Sequence, residues 1–238
     1  RIPQRLTKEK YALVIVTLFP SLQDPHGKTG YVNSPSKLLE KWPTSFKAKV
    51  IQQAEMLTST PLLKRLLLSA KNQRGEEPSL ESPEWDSDMA SILLLLHLLS
   101  PQPTGRKKTQ KISVAQAIDH LVIFHKSCRS LDEYLQSHID TSQPYLLASG
   151  TSKEAIGIFF IVIDKKLIPC EATSLAAIDE LFKLHFVLGT SYDPALKSMY
   201  TFLQTTVNCQ LSTVNIDVDT TSESPKIKEL RTMFVSNV

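Results

Sequence analysis

The sequence predicts an α+β protein that is mostly helical, with a small antiparallel sheet followed by two packed helices in its C-terminal part. Amphipathic stripes with helical spacing recur along the chain, and most follow a residue that can cap a helix. Residues 156–164 (IGIFFIVID) are rich in β-branched and aromatic side chains, which is typical of a strand covered on both faces. Seven glycines against fourteen prolines argue against a glycine-rich nucleotide-binding fold.

The first helical region is predicted to be interrupted once. Residues 7–19 fit a buried strand and a helix equally well. A helix over 36–42 is expected to stop at Pro43 and to resume over 45–57, because proline disrupts a helix interior. The apolar side chains of the resumed helix share one face at spacings of four, four and three: Phe46, Val50, Ala54 and Leu57.

Two further helices are predicted from their start residues. Thr60-Pro61 introduces the helix 62–70, because threonine can cap and proline tolerates the first helical position. Asp86-Ser87 caps a helix that runs to Leu99 and is apolar on most sides, so we expect it to be buried.

Residues 113–138 are predicted to be helical. Ser113 and Gln116 fit a capping box, and a regular apolar stripe follows from Val114 to Val122. The pattern repeats over residues 130–133 and opens a short helix that ends near His138.

The C-terminal part begins with the predicted sheet. A strand over 145–149 lies between Pro144 and Gly150, and a tight reversal at residues 164–166 joins the strand 156–164 to a last strand over 167–170.

Two helices and a short third one are predicted after the sheet. Thr173 or Ser174 caps the helix 175–188, which ends at Gly189, the residue type suited to a left-handed helix terminus. Asp193-Pro194 starts the next helix, and residues 227–234 form the last short one. A core-facing stripe marks the helix after Asp193: Leu196, Met199, Tyr200, Leu203 and Val207.

The predicted organisation has three parts. Residues 1–71 form a helical N-terminal segment, 72–85 an acidic linker, and 86–238 a C-terminal domain with helices and the small sheet. The linker is polar and contains two prolines, which disfavours a packed structure. The chain begins with Arg1 rather than methionine, so we expect a processed or truncated product.

Charge is unevenly distributed, although the formal net charge is only +3. Residues 1–71 contain twelve Lys/Arg and four Asp/Glu, whereas residues 72–88 contain one Arg and six Asp/Glu. A basic first third could bind nucleic acid, because clustered cations release counterions from phosphates. The favoured alternative is that these lysines only solvate helices whose other faces carry Leu, Val and Phe.

Cysteine usage and hydropathy indicate an intracellular protein, cytoplasmic or nuclear, that does not span a membrane. Cys128, Cys170 and Cys209 are widely spaced and include no CxxC pair, which favours free thiols in a reducing compartment. The longest aliphatic run, residues 92–99, has eight residues and contains His97, whereas a bilayer needs about 20.

The histidines do not form a recognisable metal or catalytic motif. His120 and His125 are five residues apart, so on a helix they do not share the face that two metal ligands need. Asp119 cannot orient its neighbour His120, because adjacent helical residues point about 100° apart. We therefore interpret His125 as a hydrogen-bonded core or boundary histidine.

Cys170 is the one cysteine placed where a nucleophile could act, at the end of a predicted strand. His185 on the following helix could approach it as a base, but free cysteine is more often buried core. Asp179 and Glu180 favour the helix dipole and do not face one cleft. We therefore predict no catalytic, cofactor-binding or metal-binding residue.

Six aromatic side chains in the C-terminal part could stack on nucleic-acid bases. Because each lies within an apolar period, we assign most of them to the core: Phe159, Phe160, Phe182, Phe186, Tyr200 and Phe202.

Several blocks of the chain carry a family resemblance. They are LEKWPTSFKAKVIQ (39–52), WDSDMASILLLLHLLSPQP (85–103), HLVIFHKSCRSLDEYL (120–135), QPYLLASG (143–150), FFIVIDKKLIPCEATS (159–174), DELFKLHFVLGTSYD (179–193) and MYTFLQTTV (199–207). They resemble the C-terminal region of sterile alpha motif domain-containing protein 3-like proteins of the fish type. The resemblance covers most of the chain from about residue 38 onward and implies an intracellular protein without established catalytic residues.

Two departures from that family matter. The sterile alpha motif domain itself is not recognisable in this chain, so the family's interaction domain is missing. The blocks also join unusually around residues 31–36, and NCQLSTV (208–214) interrupts a stretch that is continuous in the family. A fragment or an altered gene product would account for both.

Together these observations predict a non-enzymatic intracellular module that binds a protein partner. Two alternatives stay open: nucleic-acid association through residues 1–71, and a thiol-dependent enzyme that uses Cys170. The main prediction depends on four side chains being packed away from solvent: Phe159, Leu181, Met199 and Leu203.

Overall fold

The computed structural model describes residues 37–72, 84–101, 112–137, 143–170, 172–207 and 224–235. Helix α1 (Lys37–Lys41) continues through a π-helical turn (Trp42–Phe46) into α2 (Lys47–Glu55). The predicted interruption at Pro43 is therefore wrong. A wider turn tolerates the missing proline N–H, and the Thr44 hydroxyl donates to the Glu40 carbonyl at 2.9 Å.

Helices α3 (Pro61–Ala70) and α4 (Ser87–Leu98) begin where the caps predicted them. The Thr60 hydroxyl accepts the Leu63 N–H at 3.2 Å. One Asp86 carboxylate oxygen accepts the N–H groups of Asp88 and Met89 at 3.1 and 3.0 Å. The expected burial of α4 is confirmed, since every residue from Met89 to Leu96 is buried.

The predicted helix over residues 113–138 is partly wrong. Helix α5 (Val114–Leu121) has the expected capping box, but the chain then forms strand β1 (Val122–Lys126) before helix α6 (Leu131–Ser137). The apolar side chains of β1 also fit a continued helical stripe, so local periodicity could not separate the two structures.

The sheet has four described strands in the order β1-β2-β3-β4, where β2 is Tyr145–Gly150, β3 is Ile156–Ile163 and β4 is Lys166–Pro169. The α+β class is confirmed, and β2, β3 and β4 pair antiparallel as predicted. The pairing of β1 with β2 is parallel, so the sheet is mixed rather than purely antiparallel. Helix α6 makes the crossover that a parallel pair requires.

The tight reversal between β3 and β4 is confirmed as a two-residue hairpin. Its central residues Asp164 and Lys165 have φ angles of 47° and 57°. Positive φ at both positions is typical of a type I′ turn, whose twist matches that of the flanking strands.

Helix α7 (Ser174–Leu188) ends at Gly189 as predicted, with φ +61° at that glycine. The Thr190 N–H donates to the His185 carbonyl at 3.1 Å, which closes the helix end. The chain continues into α8 (Lys197–Phe202), a π-helical turn (Leu203–Val207) and α9 (Pro225–Val235). All five residues of the stripe predicted after Asp193 are buried.

The central strands β2 and β3 are covered on both faces because their successive side chains enter different clusters. Leu146, Ala148 and Phe159 join the main core with the helices. Tyr145, Leu147 and Val162 form a second cluster on the opposite face with Tyr134 of α6. Alternation at a period of two thus explains why the apolar run in β3 is nearly continuous.

One hydrophobic core contains residues from both sides of the predicted linker: Leu38, Trp42 and Leu66 before it, and Trp85 and Leu94 at or after it. Most of the linker, residues 73–83, and the segment 7–19 lie outside the described residues, so the three-part organisation stays a prediction. None of the helices in the described ranges combines the length and apolar character that crossing a membrane requires.

Candidate functional site

The two residues of the thiol-enzyme alternative have different surroundings. Cys170 is fully buried, its Sγ lies 3.7 Å from the Ile168 carbonyl, and its N–H donates to the Phe159 carbonyl at 2.9 Å. His185 contacts the Leu181 carbonyl and the rings of Tyr192 and Tyr200 instead. These contacts favour a structural role for both residues.

A cluster of mostly buried polar side chains lies where α7 turns into α8, and we call it the His185 corner. It joins α7, the segment 189–196, α8 and the following π-helical turn, with α5 at its rim. Its members are His120, His185, Tyr192, Asp193, Tyr200 and Gln204.

Asp193 connects three parts of the His185 corner through its two carboxylate oxygens. Oδ1 accepts the Ala195 N–H at 2.7 Å and so turns the backbone toward α8. Oδ2 accepts from Nδ1 of His120 on α5 at 2.8 Å. The Asp193 side chain is 12% exposed and that of His120 is 45% exposed, so the imidazole covers a nearly buried carboxylate.

Tyr192 inserts its ring between the two helices. Its centroid lies 4.9 Å from that of Tyr200 and 6.3 Å from that of Phe182. Its hydroxyl donates to Oε1 of the buried Gln204 at 2.9 Å. Both the apolar and the polar part of Tyr192 are therefore satisfied, and burial raises its pKa well above the usual value.

His185 is 1% exposed, and its ring lies 4.9 Å from Tyr200 and 5.3 Å from Tyr192. Nδ1 lies 2.9 Å from the Leu181 carbonyl, and because a carbonyl only accepts, this nitrogen carries the proton. Burial lowers the pKa of His185, and the Leu181 carbonyl and the Asp193 charge oppose this effect in part.

Tyr200 is fully buried, and its hydroxyl has no hydrogen-bond partner within the described part of the chain. Burial, reinforced by Tyr192 and by the Asp193 charge, raises the pKa of Tyr200 far above its ordinary range. A buried hydroxyl without a partner is unfavourable, so the His185 corner is not optimised for stability alone.

The His120–Asp193 pair resembles one part of a catalytic triad, in which a carboxylate orients an imidazole. A nucleophile would have to complete such a site, and within the described ranges no side-chain hydrogen bond joins Ser, Thr or Cys to His120. The described residues also contain no cluster of three or more His, Cys, Asp or Glu that could hold a metal ion.

Sequence reasoning missed this pair because the two residues are 73 positions apart. It considered Asp119 as the partner of His120 and interpreted Asp193 only as a helix cap. The predicted cap is wrong, because α8 begins at Lys197 after Leu196, and Asp193 Oδ1 instead accepts the Ala195 N–H in the turn before the helix. The second oxygen of Asp193 makes the contact with His120 that no local pattern indicates.

His125 lies on β1 rather than on a helix, so its predicted helical position is wrong. It is 6% exposed, and its ring lies 5.4 Å from Tyr134 in an edge-to-face arrangement. Core or boundary burial is confirmed, but Nδ1 has no hydrogen-bond partner among the residues that the structure describes. Next to the His125 ring, the hydroxyls of Tyr134 and Tyr145 lie 3.2 Å apart.

Several basic residues of the described part of the N-terminal segment contact groups within the chain. Lys47 Nζ lies 2.6 Å from an oxygen of Asp88, and Arg65 Nε lies 3.4 Å from an oxygen of Glu84. Lys71 pairs with Glu55. These contacts favour solvated helices over a free cationic surface in residues 37–71.

The burial on which the main prediction depends is confirmed for Phe159, Leu181, Met199 and Leu203, each at most 1% exposed. Of the six aromatic residues assigned mostly to the core, Phe159, Phe182, Tyr200 and Phe202 are buried. Phe160 is half-buried, and the side chain of Phe186 lies outside the described residues.

The C-terminal end of α7 exposes apolar surface. Val187 is 79% exposed and Leu188, next to it, is 45% exposed. Comparison with protein-family models, with curated proteins and with solved structures finds no significant match.

Proposed function

We propose that this chain is a non-enzymatic intracellular module that binds a protein partner, in line with the family it resembles. The observation that carries this proposal is the exposed apolar end of α7 at Val187 and Leu188. Exposed apolar side chains gain most from being covered by a partner, because covering removes their surface from water.

The position of Val187 on its helix supports this role. Ile178, Leu181, Phe182 and His185 form the buried face of α7. Val187 lies seven residues after Glu180 and four after Lys183, so helical geometry places it on the opposite face, among charged residues. A valine there gives the isolated fold little, because a polar residue would solvate that position better.

The roles of the polar groups support a non-enzymatic assignment. Asp86 caps α4 and accepts from the Ser174 hydroxyl, and Asp179 pairs with Lys183 at 2.7 Å. Asp193 turns the chain and holds His120, while the Cys170 thiol is buried. Each of these residues therefore has a structural use.

The test uses the full chain, immobilised and exposed to cell extract, with bound proteins quantified by mass spectrometry. We expect a saturable partner whose binding falls at least about tenfold in Val187→Asp, because a charge replaces a buried apolar contact. Met56→Asp is the matched control, since Met56 is 75% exposed at the end of α2.

Equal melting temperatures of the three proteins would show that the substitutions do not unfold the chain. Partner binding that survives Val187→Asp unchanged, or that Met56→Asp abolishes equally, would contradict the proposed surface. A wild-type chain that binds no protein would contradict the proposed function.

A further inference from the structure

We propose that the His185 corner is a pH-sensitive latch, which holds the segment 189–196 against α7 and α8 while His185 is neutral and releases it when His185 is protonated. The proposal rests on how a few side chains of the segment are anchored and on what surrounds His185.

The segment is held at its two central residues. The Tyr192 ring stacks on Phe182, meets His185 edge-to-face and packs against Tyr200. Its hydroxyl donates to Gln204, so Tyr192 fills the space between the helices. Asp193 fixes the turn into α8 through Ala195 and ties the segment to α5 through His120. Withdrawal of Tyr192 would expose His185 to water, because the tyrosine ring covers it.

Protonation of His185 is unfavourable while the segment is closed. Nδ1 already carries a proton for the Leu181 carbonyl, so the added proton must bind Nε2. The resulting cation would lie in a site that is 1% exposed, between the rings of Tyr192 and Tyr200. Water cannot solvate it there, which agrees with the lowered pKa of His185.

The charged group that acts appreciably on His185, from any described element, is Asp193. The tyrosines that face it, Tyr192 and Tyr200, stay neutral because burial raises the pKa of each. The Asp193 carboxylate already accepts from Ala195 and His120, so its oxygens are engaged elsewhere. Its attraction therefore offsets only part of the desolvation of His185.

His120 also faces this part of the corner, through its contact with Asp193 at the rim. The His120 side chain is 45% exposed, however, and water screens an exposed ion pair. The buried His185 therefore decides the direction, and acidification opens the latch.

The test is hydrogen–deuterium exchange of the full chain between pH 7.5 and 5.0, corrected for the intrinsic exchange rate. Three amides report on the latch, because their hydrogen bonds belong to it: those of Thr190, Ala195 and Leu196. We expect their protection to fall by up to about tenfold per pH unit below about 6.5, as release linked to one proton requires. Amides of strand β2 serve as the reference and should keep their protection.

Substitutions of single histidines show which one causes the pH dependence of the exchange. His185→Phe keeps an aromatic ring beside Tyr192 and should make the protection of the three amides independent of pH. His185→Asn replaces it in the experiment if the phenylalanine variant does not fold. His120→Gln and His97→Gln should keep the wild-type dependence. Constant protection in the wild type, an unchanged slope in both His185 variants, or a parallel loss in β2 would each overturn the latch.

One consequence rests on the proposed function. Val187 and Leu188 directly precede Gly189, so opening of the latch frees the end of the helix that presents them. We expect partner binding to weaken over the pH range in which the latch amides lose protection. Exchange measures the latch without any partner, so failure of the binding surface and failure of the latch are distinguishable.

Discussion

The side chains around α4 and those of the His185 corner are both mostly buried, but the two regions differ in how far their buried polar groups are hydrogen-bonded. Helix α4 buries eight apolar residues and one polar residue, Ser91. The Ser91 hydroxyl accepts from Nε1 of Trp42 at 2.9 Å and donates to the Asp88 carbonyl at 2.7 Å. The His185 corner instead buries an ionisable imidazole and the hydroxyl of Tyr200, which has no partner among the described residues.

This difference shows that equal burial does not mean equal stability. Around Ser91, the apolar packing and the paired hydroxyl both stabilise the fold, although Nε2 of His97 near the end of α4 also has no partner among the described residues. A hydroxyl without a partner and a histidine that must stay neutral subtract from the gain of the same buried area. We therefore expect substitutions near α4 to be more destabilising than those in the His185 corner, and pH to act mainly through the corner.

The largest expected effect is that of Trp42→Ala. Trp42 is fully buried, and its removal deletes an aromatic ring and leaves a cavity, so we expect a loss of about 4 kcal/mol in the free energy of unfolding. Equilibrium unfolding in urea, followed by circular dichroism, measures this loss. Trp42→Phe keeps most of the packing but removes the donor to Ser91, and should cost about 1–2 kcal/mol. Similar losses for the two variants would show that the hydrogen bond matters more than the ring.

Asp193→Ala should cost about 2 kcal/mol of unfolding free energy, measured in the same way. The substitution removes the acceptor of the Ala195 N–H and leaves His120 without its carboxylate. His120→Ala removes only the half-exposed pair and should cost less than about 1 kcal/mol. A His120→Ala loss equal to that of Asp193→Ala would mean that the pair, rather than the turn, stabilises the corner.

Local sequence patterns predicted most of the elements because their caps and turns act within a few residues. The capping box of Ser113 and Gln116, the cap at Thr60 and the left-handed Gly189 all appear in the structure as expected. Strand β1 was missed because VIFHK extends the apolar stripe of α5, and only pairing with β2 makes it a strand. The turn at Pro43 was missed because a π-helical turn is decided by packing around Trp42 rather than by propensity.

The candidate site was less predictable than the fold, because its contacts join residues that are far apart in the sequence. His120 and Asp193 lie 73 residues apart, and Trp42 and Ser91 lie 49 apart, so only the tertiary structure brings each pair together. The sequence did predict that Met199, Tyr200 and Leu203 face the core, because helical spacing determines the face of a side chain. It could not predict that the Tyr200 hydroxyl would be buried without a partner in the described ranges of the chain.

Acidification should destabilise the protein below about pH 6.5. Burial lowers the pKa of His185 and of His97 from the ordinary value of 6.5, so the unfolded chain binds more protons just below that pH. Their contribution is complete above pH 6.5 and is lost as the pH falls toward the folded-state values. Each histidine contributes a slope of at most about 1.4 kcal/mol per pH unit, and the partly buried His97 contributes less than the fully buried His185.

Urea unfolding at pH 7.5, 6.0 and 5.0 measures this slope in the wild type, His185→Phe and His97→Gln. We expect His185→Phe to reduce it more than His97→Gln does. If His97→Gln removes most of the slope, the end of α4 rather than the His185 corner is the more pH-sensitive region, and the contrast between the two regions is reversed.

The smallest expected effect is an increase, rather than a loss, in the free energy of unfolding. Tyr200→Phe removes a buried hydroxyl that has no partner within the described residues, so it should raise the free energy of unfolding by about 1 kcal/mol at pH 7.5. Tyr192→Phe is the matched control, because it removes a hydroxyl that donates to Gln204 and should lower stability by a similar amount. Urea unfolding compares the three proteins. Destabilisation by both substitutions would mean that a bound water pairs with the Tyr200 hydroxyl in solution, and the Tyr200 hydroxyl would then be as well paired as that of Ser91.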